Sequence, residues 1–243
     1  MPFITRCKIK RTMPITTILL DGGGVIVDES ELEDLRAKII SNILSTLIRG
    51  YSTYNYRIDI EQAVNSYCSN VYKFIFWKYT EGNLPLFDEL YQKHLSIWNE
   101  DHPPLKLMAG FDIEAKAICA RYKMVIAGQY GREILDLLRE NSILDCFSSQ
   151  LTQDDFAITK PDPRYFEQIA KRAGVDSVQC LMVGDRIDKD IAPAKMLGMK
   201  TILVRSGIHR TQRPREPYEV PDLELETVFG LSRAIEEIAG QMS

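Results

Sequence analysis

Residues 15–28 read Ile15-Thr16-Thr17-Ile18-Leu19-Leu20-Asp21-Gly22-Gly23-Gly24-Val25-Ile26-Val27-Asp28. A short β-branched apolar run that stops at an aspartate and three glycines has the pattern of a buried strand followed by a tight turn. Three later runs share that character, at 123–127 (KMVIA), 180–183 (CLMV) and 200–204 (KTILV). Helical patterns lie between and around them at about 112–121, 131–140, 163–173, 188–197 and 227–240, with a proline-rich loop at 214–221 before the last. Buried strands alternating with helices make βαβ units and a parallel sheet covered on both faces. The fold class is therefore α/β, a Rossmann-like three-layer core.

One block interrupts this alternation. Residues 29–105 carry no strand pattern but three helical ones, roughly 31–49, 58–79 and 85–99, the first marked by Leu32, Leu35, Ile39, Ile40, Ile43 and Leu44. An all-helical block directly after the first strand predicts an inserted helical cap domain, with His102-Pro103-Pro104 as the hinge where the chain returns. The expected division is a tail at 1–12, a core at 13–28 and 106–243, and a cap at 29–105. The tail is basic and precedes a second candidate start at Met13.

A chain of 243 residues, 45% apolar and 26% charged, can bury a substantial core without disulfides or a structural metal. Thirty basic against 34 acidic residues give a net charge of -4, which argues against a dedicated nucleic-acid binder. No apolar run reaches the ~18 residues of a membrane span, and the N-terminus lacks the apolar stretch of a signal peptide. Cys7, Cys68, Cys119, Cys146 and Cys180 are odd in number and form no CxxC pair, so reduced thiols and a cytoplasmic location are expected.

In open α/β sheets, ligands bind beyond the carboxyl ends of the strands. The residues there are Asp21-Gly22-Gly23-Gly24, Gly128-Gln129 and Gly184-Asp185-Arg186-Ile187-Asp188-Lys189-Asp190, with Thr159-Lys160-Pro161-Asp162-Pro163 ahead of a helix. Asp21, Asp185, Asp190 and Lys160 are thus expected at one sheet edge. Clustered carboxylates repel one another without a cation, and a hard divalent ion, Mg²⁺ by default, suits a few carboxylates plus a phosphate.

This ordered set resembles the haloacid dehalogenase superfamily, in particular its Mg²⁺-dependent phosphatase branch with a helical cap after the first motif. The resemblance rests on Leu20-Asp21-Gly22-Gly23-Gly24-Val25-Ile26, on Lys160-Pro161-Asp162-Pro163 with Phe166, and on 183–191 (VGDRIDKDI), and spans about residues 15–205. It implies a hydrolase acting on a small phosphorylated metabolite through an aspartyl-phosphate on Asp21, with Lys160 supplying positive charge. Mg²⁺ would be held by Asp21, the Gly23 carbonyl, Asp185 and Asp190, and backbone N–H groups of Gly22 and Gly24 would hold phosphoryl oxygens.

Two positions depart from the family pattern. Gly23 stands where the family has its acid/base aspartate, so leaving-group pKa is expected to govern the first step. Ile126-Ala127-Gly128-Gln129 offers no Ser or Thr hydroxyl, leaving the Gln129 amide as a substitute donor. Two other readings follow: a catalytically silent relative that binds a phosphorylated ligand or a protein partner, and a metal-free 2-haloacid dehalogenase, which the acidic Asp185/Asp190 pair disfavours. Dinucleotide binding is disfavoured because Val27 stands at the third glycine of a G-x-G-x-x-G frame. Asp188 is expected on the surface, and Asp154 and Asp155 in structural roles. The cap aromatics are expected mostly in packing. His94, His102 and His209 are expected to face solvent, although any one of them could replace the missing acid.

Overall fold

In the computed structural model, residues 13–241 are described. The expected tail at 1–12, with Cys7, lies outside them. The central strand is β1 (Thr17–Leu20), whose four residues are all buried. It is flanked by β4 (Lys123–Ile126) on one side and β6 (Cys180–Gly184) on the other. Outside these lie β5 (Phe147–Ser149) on one edge, and β7 (Lys200–Val204) then β8 (Leu223–Leu225) on the other. The six-stranded order is β5-β4-β1-β6-β7-β8, and every pair is parallel.

Because strand side chains alternate, each strand feeds two apolar layers. Ile18, Leu20, Met124, Ile126, Leu181 and Val183 point to one face and pack with α5 (Phe111–Cys119), α6 (Glu133–Glu140) and α9 (Leu231–Gly240). Leu19, Val125, Cys180 and Met182 point to the other and pack against α7 (Pro163–Ala173) and Ala194 of α8 (Ala192–Met196). This is the three-layer α/β arrangement expected from the alternating runs. Edge strands β5 and β8 were not anticipated, since FSS and LEL carry too few apolar residues to signal a strand.

Between the first strand and the rest of the sheet lie α1 (Ser30–Ser45), α2 (Thr53–Asn65), α3 (Val71–Thr80) and α4 (Leu84–Glu100). They share a separate apolar cluster built around Ile40, Leu44, Tyr56, Ile75 and Phe76. The single helix expected at 58–79 is two. The chain turns at Tyr67, whose φ is +55°, and the Asn70 side chain accepts from the Lys73 N–H at 2.9 Å to start the next helix. At the base of the block, β2 (Val27–Asp28) and β3 (Lys106–Leu107) pair antiparallel, Val27 opposite Leu107 and Asp28 opposite Lys106. In the expected helix at 188–197, residues Ile187–Ile191 form a π-turn before α8, a distortion that recurs at functional sites. Among the described residues no helix is long and apolar enough to cross a membrane.

Candidate active site

The carboxyl ends of β1, β4 and β6 lie side by side, and the residues that follow them meet. Asp21 is the first residue after β1, Asp185 the first after β6, and the π-turn swings Asp190 inward; all three are buried. Each offers a carboxylate oxygen, and these oxygens lie within 4.8 Å of one another. Lys160 enters from the loop before α7 and is also buried. Its Nζ donates to Asp21 Oδ1 and to Asp190 Oδ1, both at 2.6 Å. Burial opposes the ammonium, but Asp190 and Asp21 outweigh it and hold the Lys160 pKa above the ordinary lysine range.

Three carboxylates thus face one ammonium. The Asp185 carboxylate accepts no hydrogen bond and makes no ion pair among the described residues, and burial, then Asp21 and Asp190, push its pKa well up. Burial and Asp21 also raise Asp190, to about 6, against the pull of Lys160. An oxygen-only donor set, buried and short of positive charge, fits a hard divalent cation. Nothing hydrogen-bonds the Gly23 carbonyl among the described residues, so it is free to serve as the fourth ligand of the expected set.

The glycine turn is more committed than its sequence suggests. The Gly22 N–H donates to Asp21 Oδ1 at 2.7 Å and the Gly24 N–H to the Val27 carbonyl at 3.0 Å. Of the three amides in the turn, that of Gly23 alone lacks a partner among the described residues. The Gly22 and Gly24 amides, expected to hold phosphoryl oxygens, are therefore already engaged. Gly128 is also packed too closely for a side chain: a Cβ there would lie 2.5 Å from the Gly22 nitrogen and 2.8 Å from its Cα. That close approach explains why no hydroxyl residue stands at the end of β4. The Gln129 side chain is at the cleft, but its Oε1 accepts from Lys189 Nζ at 3.3 Å.

Asp21, Gly23, Gln129, Lys160, Asp185 and Asp190 all line a cleft of about 280 Å³. A larger cavity of about 880 Å³ lies beside it, between the helical block and the core. Leu32, Trp98, Leu105, Met108 and Leu137 give the larger cavity its apolar wall, and the Arg36 guanidinium lies 3.6 Å from the Trp98 ring centre and 4.2 Å from that of Tyr72. Glu29, Tyr72, Tyr130 and Ile208 line both spaces. Glu29 and Tyr130 were not singled out from the sequence. The available signal was an acidic residue at the junction of strand and helix, six positions beyond Gly23. Tyr130 donates to Glu29 Oε1 at 2.5 Å, and burial raises the Glu29 pKa despite that bond.

The histidines correct an expectation. His94 is fully buried among Tyr72, Phe76 and Tyr91, with Nε2 3.3 Å from Arg36 Nη1. Burial and Arg36 lower its pKa to about 4. His209 is buried at the cleft, and burial followed by Arg186 lowers its pKa to about 3. His102 is exposed and stacks on Trp98. Asp188 is half-buried rather than on the surface, in a two-point pair with Arg186 at 3.1 and 2.7 Å. Asp155 holds the Thr152 turn through its N–H at 2.9 Å, while Asp154 is exposed. Most aromatics of the helical block pack, as Tyr56 and Phe76 do; Tyr72 and Trp98 reach the cavities.

Residues 157–228 match a family model described as HAD-hydrolase-like. Over 93 residues the chain is 34% identical to a glyceraldehyde 3-phosphate phosphatase of Methanopyrus kandleri, which is 38% of this chain and 40% of that protein. A haloacid dehalogenase-like protein of unknown function from Agrobacterium tumefaciens shares the fold at a TM-score of 0.65, with 20% identity over 93% of this chain and 99% of its own. Residues 157–228 thus resemble HAD-like hydrolases, and the whole chain shares the fold of a haloacid dehalogenase-like protein. A second solved structure with this fold, a HAD-hydrolase of Bacillus subtilis bound to magnesium, has a TM-score of 0.63 and 17% identity over 92% of this chain and 99% of its own. The chain spans about 40% of the length of the curated relative it matches.

Proposed function

We propose that this protein is a Mg²⁺-dependent phosphatase of small phosphorylated metabolites, working through an aspartyl-phosphate on Asp21 with residues 29–105 as its cap. The observation that carries the reading is the cluster of Asp21, Asp185 and Asp190 around the single Lys160 ammonium. The likeness to a glyceraldehyde 3-phosphate phosphatase supports the substrate class. Asp21, Asp185, Asp190 and the Gly23 carbonyl would hold the ion, which when bound lowers the repulsion between a carboxylate nucleophile and a phosphate dianion. Lys160 holds Asp21 in place and places a second positive charge beside the transferred group. The Gly23 N–H is the turn amide available to a phosphoryl oxygen. The remainder of the substrate would extend toward the larger cavity, where Arg36, Tyr72 and Trp98 meet it.

The silent-relative reading draws on Gly128, whose packing against Gly22 leaves no room for the family's hydroxyl. One experiment separates the two: a panel of phosphate esters with Mg²⁺, with and without chelator, alongside Asp21→Asn. Phosphate release that needs the metal and vanishes in the variant is the expected result. Equal release by wild type and Asp21→Asn would exclude Asp21 as nucleophile, and binding without release would favour the silent relative.

A further inference from the structure

The glycine at position 23 is only half of an exchange, because another side chain fills the space it leaves. A Cβ built on Gly23 would lie 2.7 Å from each of Cδ, Oε1 and Oε2 of Glu29, and these are its three nearest neighbours. Gly23 does not adopt the left-handed conformation that excludes side chains, as its neighbour Gly24 does at φ +69°. The obstacle to a side chain there is thus a carboxyl group already in place. We propose that the Glu29 carboxyl group is the general acid and base of this site, reaching back from the start of α1 to the position where the superfamily carries an aspartate on the turn itself. The assignment rests on the phosphatase reading above.

Three further observations support it. Glu29 precedes the first turn of α1, directly after β2, so its backbone sits next to the β2–β3 pair while its side chain returns to the turn. The Tyr130 hydroxyl at 2.5 Å from Oε1 fixes the carboxyl group, and the Tyr130 ring is itself held over Gly22, where any added Cβ would strike it. No lysine or arginine nitrogen of the described residues lies within ion-pair distance of Glu29, so it is not committed to a salt bridge. Its place on the wall shared by the two cavities sets it between the Asp21 cleft and the space available to the leaving group.

The proton balance is complete with water as the only co-reactant. An Asp21 oxygen forms a bond to phosphorus, the ester P–O bond breaks, and the Glu29 proton passes to the departing oxygen, releasing an alcohol. The Glu29 carboxylate then takes a proton from the water that attacks phosphorus, the bond between Asp21 and phosphorus breaks, and inorganic phosphate leaves with Glu29 protonated again.

The test compares wild type with Glu29→Gln on glycerol 1-phosphate and p-nitrophenyl phosphate in Mg²⁺, with melting curves to check folding. Turnover of the alkyl ester should fall about 10²–10⁴-fold in the variant, the range of general acid–base catalysis. Nitrophenolate leaves without a proton, so its release should persist as a burst approaching one per chain, followed by a hydroxylamine-labile phosphorylated protein. Glu29→Ala should lose the alkyl activity and the double variant Glu29→Ala/Gly23→Asp should regain part of it, because the carboxyl returns to the same volume from the other side. Equal loss on both esters without a trapped phosphoprotein would mark Glu29 as structural and overturn the proposal. So would unchanged rates in Glu29→Gln, or no gain in the double variant. A wild type that cleaves neither ester and forms no phosphoprotein overturns the phosphatase reading itself, and this assignment with it.

Discussion

Replacing Lys160 with methionine keeps most of the side-chain length and deletes the ammonium that bridges Asp21 and Asp190. At 2.6 Å and an effective dielectric of about 20, each contact is worth ~6 kcal/mol of bare Coulomb energy. Desolvation of the ammonium and of its partners cancels most of that. Removing one member of a buried pair costs about 3–5 kcal/mol net, because the charges left behind stay buried. For a chain of this size each kcal/mol moves the melting temperature by about 2–4 °C, so Lys160→Met should melt roughly 6–20 °C below wild type in chelator. A cation can take over part of the ammonium's work. Saturation with Mg²⁺ at a hundred times its Kd adds about 2.7 kcal/mol, and the metal-induced gain should be larger in the variant than in wild type. Thermal melts of both proteins in EDTA and in Mg²⁺ supply all four values. A variant that melts within a degree or two of wild type in EDTA would refute the claim that this ammonium holds the carboxylates together.

Asp185→Asn should raise metal-free stability, since it removes an unpartnered buried charge, and should abolish the melting shift produced by Mg²⁺; a retained shift would remove Asp185 from the ligand set. Gly128→Ser, which restores the family's hydroxyl, should cost about 1–3 kcal/mol, because its Cβ meets the backbone of Gly22 and not a yielding side chain; an unchanged melting curve would show that the two loops can part. His94 is neutral in the fold down to about pH 4, whereas the unfolded chain protonates it near 6.5, so its contribution is present above 6.5 and lost as pH falls toward 4. At about 1.4 kcal/mol per pH unit this is about 3 kcal/mol. The stability advantage of wild type over His94→Phe, measured by urea unfolding, should shrink by that amount between pH 7 and pH 4, and a constant difference would contradict the buried neutral imidazole.

The legible parts of the fold were those in which one residue pattern determines one environment. The strands at Lys123–Ile126, Cys180–Gly184 and Lys200–Val204 are buried on both faces and are written as nearly unbroken apolar runs. Phe147–Ser149 and Leu223–Leu225 are edges, stabilised by pairing with a neighbour that their own residues do not announce. The break between α2 and α3 depends on one left-handed Tyr67 and a cap at Asn70, local geometry that apolar periodicity passes over. In the site, Asp21, Lys160, Asp185 and Asp190 could be placed together because each follows a strand or precedes a helix at the same edge of the sheet. The absence of a hydroxyl at the end of β4 was visible in the sequence, but its cause was not, because Gly22 and Gly128 touch only across two loops far apart in the chain. Glu29 was hidden for the same reason: its importance lies in where its carboxyl group returns to, which no spacing along the chain encodes.

The position of β1 at the centre of the sheet sets the order in which the chain can fold as it is made. Its partners begin at residues 123 and 180, so the first strand of the sheet to be synthesised waits longest, from its own appearance, to have both of its edges covered. At about 5–20 residues per second, roughly ten to thirty seconds pass between the appearance of residues 17–20 and that of β6. Helices α1–α4 emerge in that interval and depend mainly on contacts close in sequence, the kind that form early. All four helices are therefore made before the first partner of β1, and the site is completed only after Asp190 has left the tunnel.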